Sequence, residues 1–154
     1  MKIVLLDGEA LNPGDLSWAP LEALGELTVH PRGTNDPGEV IRRIGAAEIV
    51  LTNKTPVGRA VFEQCPHMKL LCVVATGYNV VDIQAAKEHG VPVCNVPAYG
   101  TEMVAQFAIG LLLEICHHVE LHDQSLHAGD WERCPNFCHW KSPLMELSGK
   151  TMGI

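Results

Sequence analysis

The stretch KLLCVVATGYNVVDIQAAKEHGVPVCN, residues 69–95, contains one complete strand–helix–strand unit. Its first run, Lys69–Ala75, is short, apolar and rich in β-branched residues, so it predicts a buried strand. Asp82 is a typical N-cap and Gly90 a typical C-terminal stop, and a helix is predicted between them. The run Val91–Asn95 predicts the next strand. A strand, a helix and a second strand in this order indicate a parallel sheet.

The same pattern recurs throughout residues 1–98. The apolar runs are spaced widely enough for a strand, a short helix and two turns. Because the runs are almost continuously apolar, they predict an α/β fold whose parallel, five-stranded, doubly wound sheet is covered on both faces. The predicted strands are Lys2–Asp7, Glu26–His30, Glu48–Thr52, Lys69–Ala75 and Val91–Asn95, and the predicted helices are Trp18–Leu24, Gly38–Ile44, Val57–Gln64 and Ile83–His89.

The pattern changes after residue 98. Residues 101–121 are predicted to form one long helix with Thr101 as its N-cap. Polar residues occupy only a narrow stripe of this helix, so we expect it to be buried between domains or between subunits. Residues 122–147 form a polar arm with weak periodicity. A turn and a buried strand that begins at Lys150 are predicted to follow.

Composition limits the functions that the chain can have. Its 154 residues are 47% apolar and 19% charged, which indicates a folded, globular protein. The net charge of −7 argues against non-specific binding to nucleic acid, which needs a basic surface. Polar residues interrupt the longest apolar stretch, so we expect no membrane span. Six cysteines without a secretion signal indicate reduced thiols and a cytoplasmic protein.

Polar residues and glycines stand at the ends of the predicted strands. In an open parallel sheet, ligands bind at the carboxyl ends of the strands. Lys54 follows Asn53 after the third strand and places a cation there, and Gly77 follows Thr76 after the fourth and offers an unobstructed N–H group. Together these groups suit a small carboxylate. Ordinary surface turns have a similar composition, so this pattern alone leaves both interpretations open.

Three segments in a fixed order resemble the D-isomer-specific 2-hydroxyacid dehydrogenases. Within this family, the chain resembles members of the glycerate dehydrogenase type, which act on hydroxypyruvate or glyoxylate. The segments are Ala75–Asp82, Val91–Pro97 and Thr101–Gln106. The resemblance extends over essentially the whole chain, from Leu6 onward. It implies a flavodoxin-like substrate domain over residues 1–98. It also implies that residues 99–154 begin a Rossmann nucleotide-binding domain and stop before its glycine loop.

The resemblance assigns roles to the residues at the strand ends. Thr76 and Gly77 match the loop whose backbone N–H groups hold the substrate carboxylate. Thr76 also matches a position that contacts the nicotinamide cofactor. Asn53 and Lys54 match the loop on the substrate side of the third strand.

The resemblance places the reaction itself largely outside this chain. Thr101 matches a hydroxyl residue near the cofactor, whereas Gly100 departs from the asparagine that many members carry. The catalytic Arg, Glu and His and the G-x-G-x-x-G loop of the family would lie beyond Ile154. We therefore expect no catalytic residue and no enzymatic activity in this chain. The implied reaction of the whole enzyme is hydride transfer between NAD or NADP and a small 2-oxo or D-2-hydroxy acid.

Further interpretations concern partners and metals. The apolar helix over residues 101–121 predicts a homodimer, with Phe107, Leu111 and Ile115 as contact residues. In the resembling family a tryptophan near position 140 reaches toward the neighbouring subunit's active site, which makes Trp140 a candidate for that role. The Cys and His residues between 116 and 139 match no common zinc spacing, so we expect no metal. A non-catalytic flavodoxin-like module that binds a ligand or dimerises is the alternative to an enzyme.

Overall fold

The computed structural model describes residues 1–153, which form two compact units. The first unit is Met1–Tyr99, and the second begins at Gly100. The sequence predicted a domain boundary after residue 98. That the second unit begins a nucleotide-binding domain stays a prediction.

The first unit is a five-stranded parallel sheet with the strand order β2-β1-β3-β4-β5. This order confirms the predicted α/β fold and is that of flavodoxin-like proteins. Each strand is shorter than predicted, because residues at its ends leave the sheet to form loops. The strands are β1 (Lys2–Leu5), β2 (Glu26–Val29), β3 (Ile49–Thr52), β4 (Leu70–Val73) and β5 (Val93–Cys94), and the helices are α1 (Ala19–Glu22), α2 (Pro37–Ile44), α3 (Arg59–Gln64) and α4 (Ile83–Glu88), with a 3-10 turn at Gly8–Ala10.

One face of the sheet carries the main core of the first unit. Right-handed crossovers place α2, α3 and α4 on the same face, since the three connections run in the same direction across the sheet. Their apolar residues pack with those of the central strands; the cluster includes Val40, Ile44, Val61, Phe62, Ala85, Ala86, Val50, Leu71 and Val73. On the other face, β3 and β4 expose alternate residues partly. The sequence predicted that both faces of the sheet are covered. Within this unit the second face is covered only in part, because α1 is only one turn long.

The predicted signals at the ends of α4 are confirmed. The side chain of Asp82 accepts a hydrogen bond of 2.8 Å from the N–H of Ala85, as an N-cap does. Gly90 has a φ of 69°, a left-handed conformation that favours glycine after a helix. These two residues mark where α4 begins and where it ends.

The second unit contains two helices where the sequence predicted one. They are α5 (Thr101–His117) and α6 (Val119–His127), and their axes differ by 60°. In a continuous helix the carbonyl of Cys116 would accept from the N–H of Glu120. Here it accepts from Met145, at 2.9 Å, while the Glu120 N–H donates to the side chain of Glu114. His118 between the helices adopts a left-handed conformation. The single helix over residues 101–121 was therefore a wrong prediction.

Two further predictions for the second unit are wrong. Gly100, not Thr101, is the N-cap of α5, and Thr101 is the first helical residue. Residues 150–152 and Gly153 form no strand, although one was predicted to begin at Lys150; Ile154 lies outside the described residues. A parallel strand needs a neighbour for its hydrogen bonds, and residues 100–153 provide none. The polar arm after α6 consists of turns and irregular segments.

No helix within residues 1–153 has, on its own, both the length and the apolar character needed to cross a membrane. Taken together, α5 and α6 meet these criteria by length and composition, but the pair is bent by 60°.

The carboxylate of Asp7 joins β1 to the loop that follows β3. Asp7 is buried, with 4% of its surface exposed. Its Oδ1 accepts from the N–H of Asn53 at 2.8 Å, and its Oδ2 accepts from the N–H groups of Lys54 and Thr55, at 2.6 and 2.8 Å. The hydroxyl of Thr55 also donates to Oδ2, at 3.0 Å. One buried side chain thus fixes three consecutive residues of this loop.

We expect Asp7→Ala to lower the free energy of unfolding by about 3 kcal/mol, because it leaves buried donors without their charged acceptor. Urea denaturation followed by circular dichroism measures this change. Asp15→Ala is the matched control, since Asp15 is exposed, and its effect should stay within about 0.5 kcal/mol. Equal urea midpoints for the two variants would show that the Asp7 hydrogen bonds do not stabilise the fold.

Candidate functional site

The candidate site lies at the carboxyl edge, the edge of the sheet at which its five parallel strands end. The strand order reverses between β1 and β3, because β2 lies on the outer side of β1 whereas β3, β4 and β5 continue on the other. Ligands of such sheets bind beside this reversal. Asp7 follows β1 and Lys54 follows β3, so both stand at the reversal point.

The loop after β3 has a fixed backbone and one exposed cation. Asp7 holds the backbone of Asn53, Lys54 and Thr55, and the fully buried hydroxyl of Thr52 donates to the carbonyl of Thr55 at 2.9 Å. Asn53 is half-buried and Lys54 is exposed. Within residues 1–153 the Lys54 ammonium forms neither a hydrogen bond nor an ion pair. It is therefore available to an anionic ligand.

The loop after β4 is held by the residues that follow β5. The hydroxyl of Thr76 donates to the carbonyl of Val96 at 3.1 Å, and the side-chain amide of Asn95 donates to the carbonyl of Thr76 at 2.8 Å. Thr76 and Gly77 are both exposed, and their N–H groups donate no hydrogen bond to any other part of residues 1–153. A Cβ atom added at Gly77 would meet only the Oδ1 of Asn79, at 3.4 Å. The loop thus presents two free donors and open space.

The surroundings of Lys54 include a cavity of about 530 Å³. It is lined by Asp7, Thr55 and residues 31–35 of the loop between β2 and α2. Arg32 contributes a second cation, but its guanidinium is paired with Glu9 at 3.1 Å. Thr76 and Gly77 do not line this cavity. The loop of Asn53 and Lys54 therefore lies next to the loop of Thr76 and Gly77 at one edge of the sheet. Only the first of these two loops lines the cavity.

The fifth predicted residue, Thr101, belongs to the second unit. It is exposed and lies in the first turn of α5. Gly100 before it provides no side-chain cap to the helix, as expected where glycine replaces an asparagine. Its role beside a cofactor stays a prediction.

Two contributors to this edge were not assigned a function from the sequence. Asp7 organises the loop of Lys54, and Asn95 holds the loop of Thr76. An acidic residue directly after an uninterrupted apolar strand was the available signal for Asp7. Its partners, however, are 46 to 48 residues away in the chain.

The Cys and His residues of the second unit take part in structural contacts. His122 contacts the carbonyl of His118 through Nδ1 at 2.8 Å and accepts from the N–H of Lys141 through Nε2 at 3.1 Å. His139 contacts the hydroxyl of Ser125 at 2.8 Å. Across residues 1–153, no three His, Cys, Asp or Glu side chains are grouped so that they could hold a metal ion. The expectation that the chain binds no metal stays a prediction.

Asp130 forms two ion pairs within the second unit. Its carboxylate pairs with Lys141 at 2.5 Å and accepts from Ser125 at 2.8 Å, and it also pairs with Arg133. The hydrogen bond from Lys141, followed by that from Ser125, lowers the pKa of Asp130 to about 2. These partners are those of a structural ion pair rather than of a catalytic acid.

Comparisons with known proteins give the same family as the sequence motifs. A relative in Blautia hydrogenotrophica, hydroxypyruvate reductase, is 61% identical over 155 residues, which cover all of this chain and 48% of that protein. A glycerate dehydrogenase of Methylorubrum extorquens is 33% identical over 153 residues, covering 99% of this chain and 48% of the relative. The chain thus spans about half the length of the curated relatives it matches.

A solved structure supports the fold. An acyclic imino acid reductase, determined in complex with NADPH and D-Arg, has a TM-score of 0.69 at 24% sequence identity, and the match covers 84% of this chain and 41% of that one. At this identity the likeness concerns the fold alone. The family model described as "D-isomer specific 2-hydroxyacid dehydrogenase, catalytic domain" matches residues 4–151. On the strength of that match, which takes in both compact units, the chain belongs to the D-isomer specific 2-hydroxyacid dehydrogenase family.

Proposed function

We propose that this chain is the substrate-binding part of an oxidoreductase that transfers a hydride between NAD(P)H and a small 2-oxo acid, with hydroxypyruvate and glyoxylate as candidate substrates. Family membership and the two similar relatives support the reaction class. The observation that carries the proposal for this chain is the set of free donors at the carboxyl edge. These donors are the Lys54 ammonium and the N–H groups of Thr76 and Gly77.

The proposed task of these donors is to hold a carboxylate. Lys54 supplies a positive charge, and the N–H groups of Thr76 and Gly77 supply directed hydrogen bonds, which together suit the two oxygens of a 2-oxo acid's carboxylate. Asp7 and Asn95 keep the two loops in place, so that little ordering is required when the ligand binds. Such positioning places the 2-oxo carbon in a defined orientation.

The chain's own residues fit only a small part of a dinucleotide. Its sequence contains no G-x-G-x-x-G loop, so no group here is suited to the pyrophosphate. Thr76 and Thr101 are the proposed contacts of the nicotinamide end. The cofactor would supply the hydride. The proposed cofactor contacts, Thr76 and Thr101, do not distinguish NAD from NADP.

We further propose a cytoplasmic homodimer that forms through α5. Phe107, Leu111 and Ile115 stand one turn apart on this helix, and their side chains are 69%, 49% and 68% exposed. Exposed apolar residues at this spacing form a continuous stripe, which is typical of an interface. A dimer would also serve the alternative function, a binding module without catalysis.

The carboxylate proposal predicts that Gly77→Val weakens the binding of hydroxypyruvate or glyoxylate to this chain at least about tenfold, because a side chain obstructs a charged hydrogen bond. Titration followed by ¹H–¹⁵N NMR measures this, and the shifts should centre on residues 53–54 and 76–77. Ala46→Val is the control, since Ala46 is exposed between α2 and β3, at the opposite edge. Unchanged affinity in Gly77→Val, or shifts elsewhere only, would contradict the proposed site.

Because the proposed role of this chain is to bind the substrate, we predict that the 154-residue chain does not oxidise NADH in the presence of hydroxypyruvate or glyoxylate. The reason is that the residues that we propose at the carboxyl edge hold a carboxylate, whereas the sequence contains no G-x-G-x-x-G loop to bind the dinucleotide. Absorbance of NADH at millimolar substrate measures this. Turnover above background by the purified chain would show that it contains catalytic residues that we have not identified.

The dimer proposal predicts that Leu111→Asp yields a folded monomer, because an interfacial charge without a partner costs more than a modest dimer can tolerate. Multi-angle light scattering measures the mass, and circular dichroism checks the fold. Leu24→Asp is the control, since Leu24 is an exposed leucine of the first unit. A wild-type chain that is monomeric at micromolar concentration would contradict the proposal.

A further inference from the structure

Two cysteines stand directly opposite each other on neighbouring strands of the first unit. Cys72 of β4 and Cys94 of β5 are register partners in the parallel pair. Adjacent strands lie about 4.8 Å apart, and side chains at paired positions stand on the same face of the sheet. A disulfide joins Cα atoms that are about 4.4–6.8 Å apart. The backbone therefore places the two thiols where a bond between them requires little movement.

The two thiols differ in exposure. Cys94 is exposed and lines a cavity of about 540 Å³ beside Tyr78 and Asn95, whereas Cys72 is half-buried. Burial raises the pKa of the Cys72 thiol, and the neighbouring Cys94 thiol raises it further. A small oxidant from solvent therefore reaches Cys94 first, and Cys72 is placed to react second.

We propose that Cys72 and Cys94 are an oxidation site at which hydrogen peroxide converts two thiols into a disulfide. The Cys94 thiolate attacks one peroxide oxygen, the O–O bond breaks, and hydroxide leaves, so that Cys94 becomes a sulfenic acid. The Cys72 sulfur then attacks the Cys94 sulfur, the S–O bond breaks, and a second hydroxide leaves. The two thiol protons convert both hydroxides to water. The sulfurs lose two electrons in total, and the peroxide oxygens gain them.

The position of the pair connects this site with the carboxyl edge. Asn95, which directly follows Cys94, holds the carbonyl of Thr76. A bond between β4 and β5 therefore forms next to the residues that hold the Thr76–Gly77 loop. Because Cys94 is exposed, a disulfide at this position is accessible from solvent, and a mild thiol should reduce it.

The remaining cysteines provide internal controls. Cys65 and Cys116 are buried. Cys134 and Cys138 are four residues apart in the second unit, where the Cys134 thiol contacts the Cys138 carbonyl at 3.7 Å. They form the competing pair, and Cys138, like Cys94, is exposed.

Mass spectrometry of the 154-residue chain after treatment with one equivalent of peroxide tests the proposal. We expect the mass to fall by two hydrogens and a peptide that links Cys72 to Cys94 to appear. The number of free thiols should fall from six to four, because the disulfide uses two. Dithiothreitol should restore all six. Cys94→Ser should lose this response, whereas Cys138→Ser should keep it.

A second variant tests the order of the two steps. In Cys72→Ser, which lacks the second thiol, the Cys94 sulfenic acid should persist and react with dimedone, and the wild type should give no such adduct. A disulfide mapped to Cys134 and Cys138, an unchanged response in Cys94→Ser, or Cys94 sulfinic acid as the main wild-type product would each overturn the proposal. Circular dichroism of the three variants separates these outcomes from misfolding.

Discussion

The buried carboxylate of Asp7 is the contact on which the Lys54 loop of the candidate site depends. It accepts four hydrogen bonds from three consecutive residues that follow another strand. A buried charge is tolerated when it is fully hydrogen-bonded, and here the donors are mainly backbone N–H groups that would otherwise lack partners. The same contact orders the backbone that carries Lys54. One contact thus contributes both to the stability of the fold and to the geometry of the Lys54 loop.

The two loops of the site are held independently. The loop of Lys54 is fixed from β1 by a carboxylate, and the loop of Thr76 is fixed from the end of β5 by an amide and by its own hydroxyl. In each loop some polar groups are held by hydrogen bonds within the unit, whereas the proposed donors have no partner among residues 1–153. This arrangement explains why exposed residues with few contacts of their own can still offer a defined binding geometry.

Local signals in the sequence predicted the fold well. Apolar runs located all five strands, and Asp82 and Gly90 located the ends of α4, because these features depend on residues close in the chain. The break after His117 was not predictable in this way, since it depends on a hydrogen bond between Cys116 and the distant Met145. For the site, the positions of Lys54 and Gly77 followed from the strand ends. The role of Asp7 required knowledge of which strands are neighbours.

The strand order has a consequence for how the protein folds. β1 must pair with β2, but it must also accept β3 on its other side before Asp7 can meet its partners. These partners are 46 to 48 residues away, so closing the intervening chain costs entropy that the four hydrogen bonds repay only once β3 is in place. Asp7 can therefore order the Lys54 loop only after β1 and β3 have paired. A chain that has reached its binding geometry has, by that fact, already completed the central pairing of its sheet.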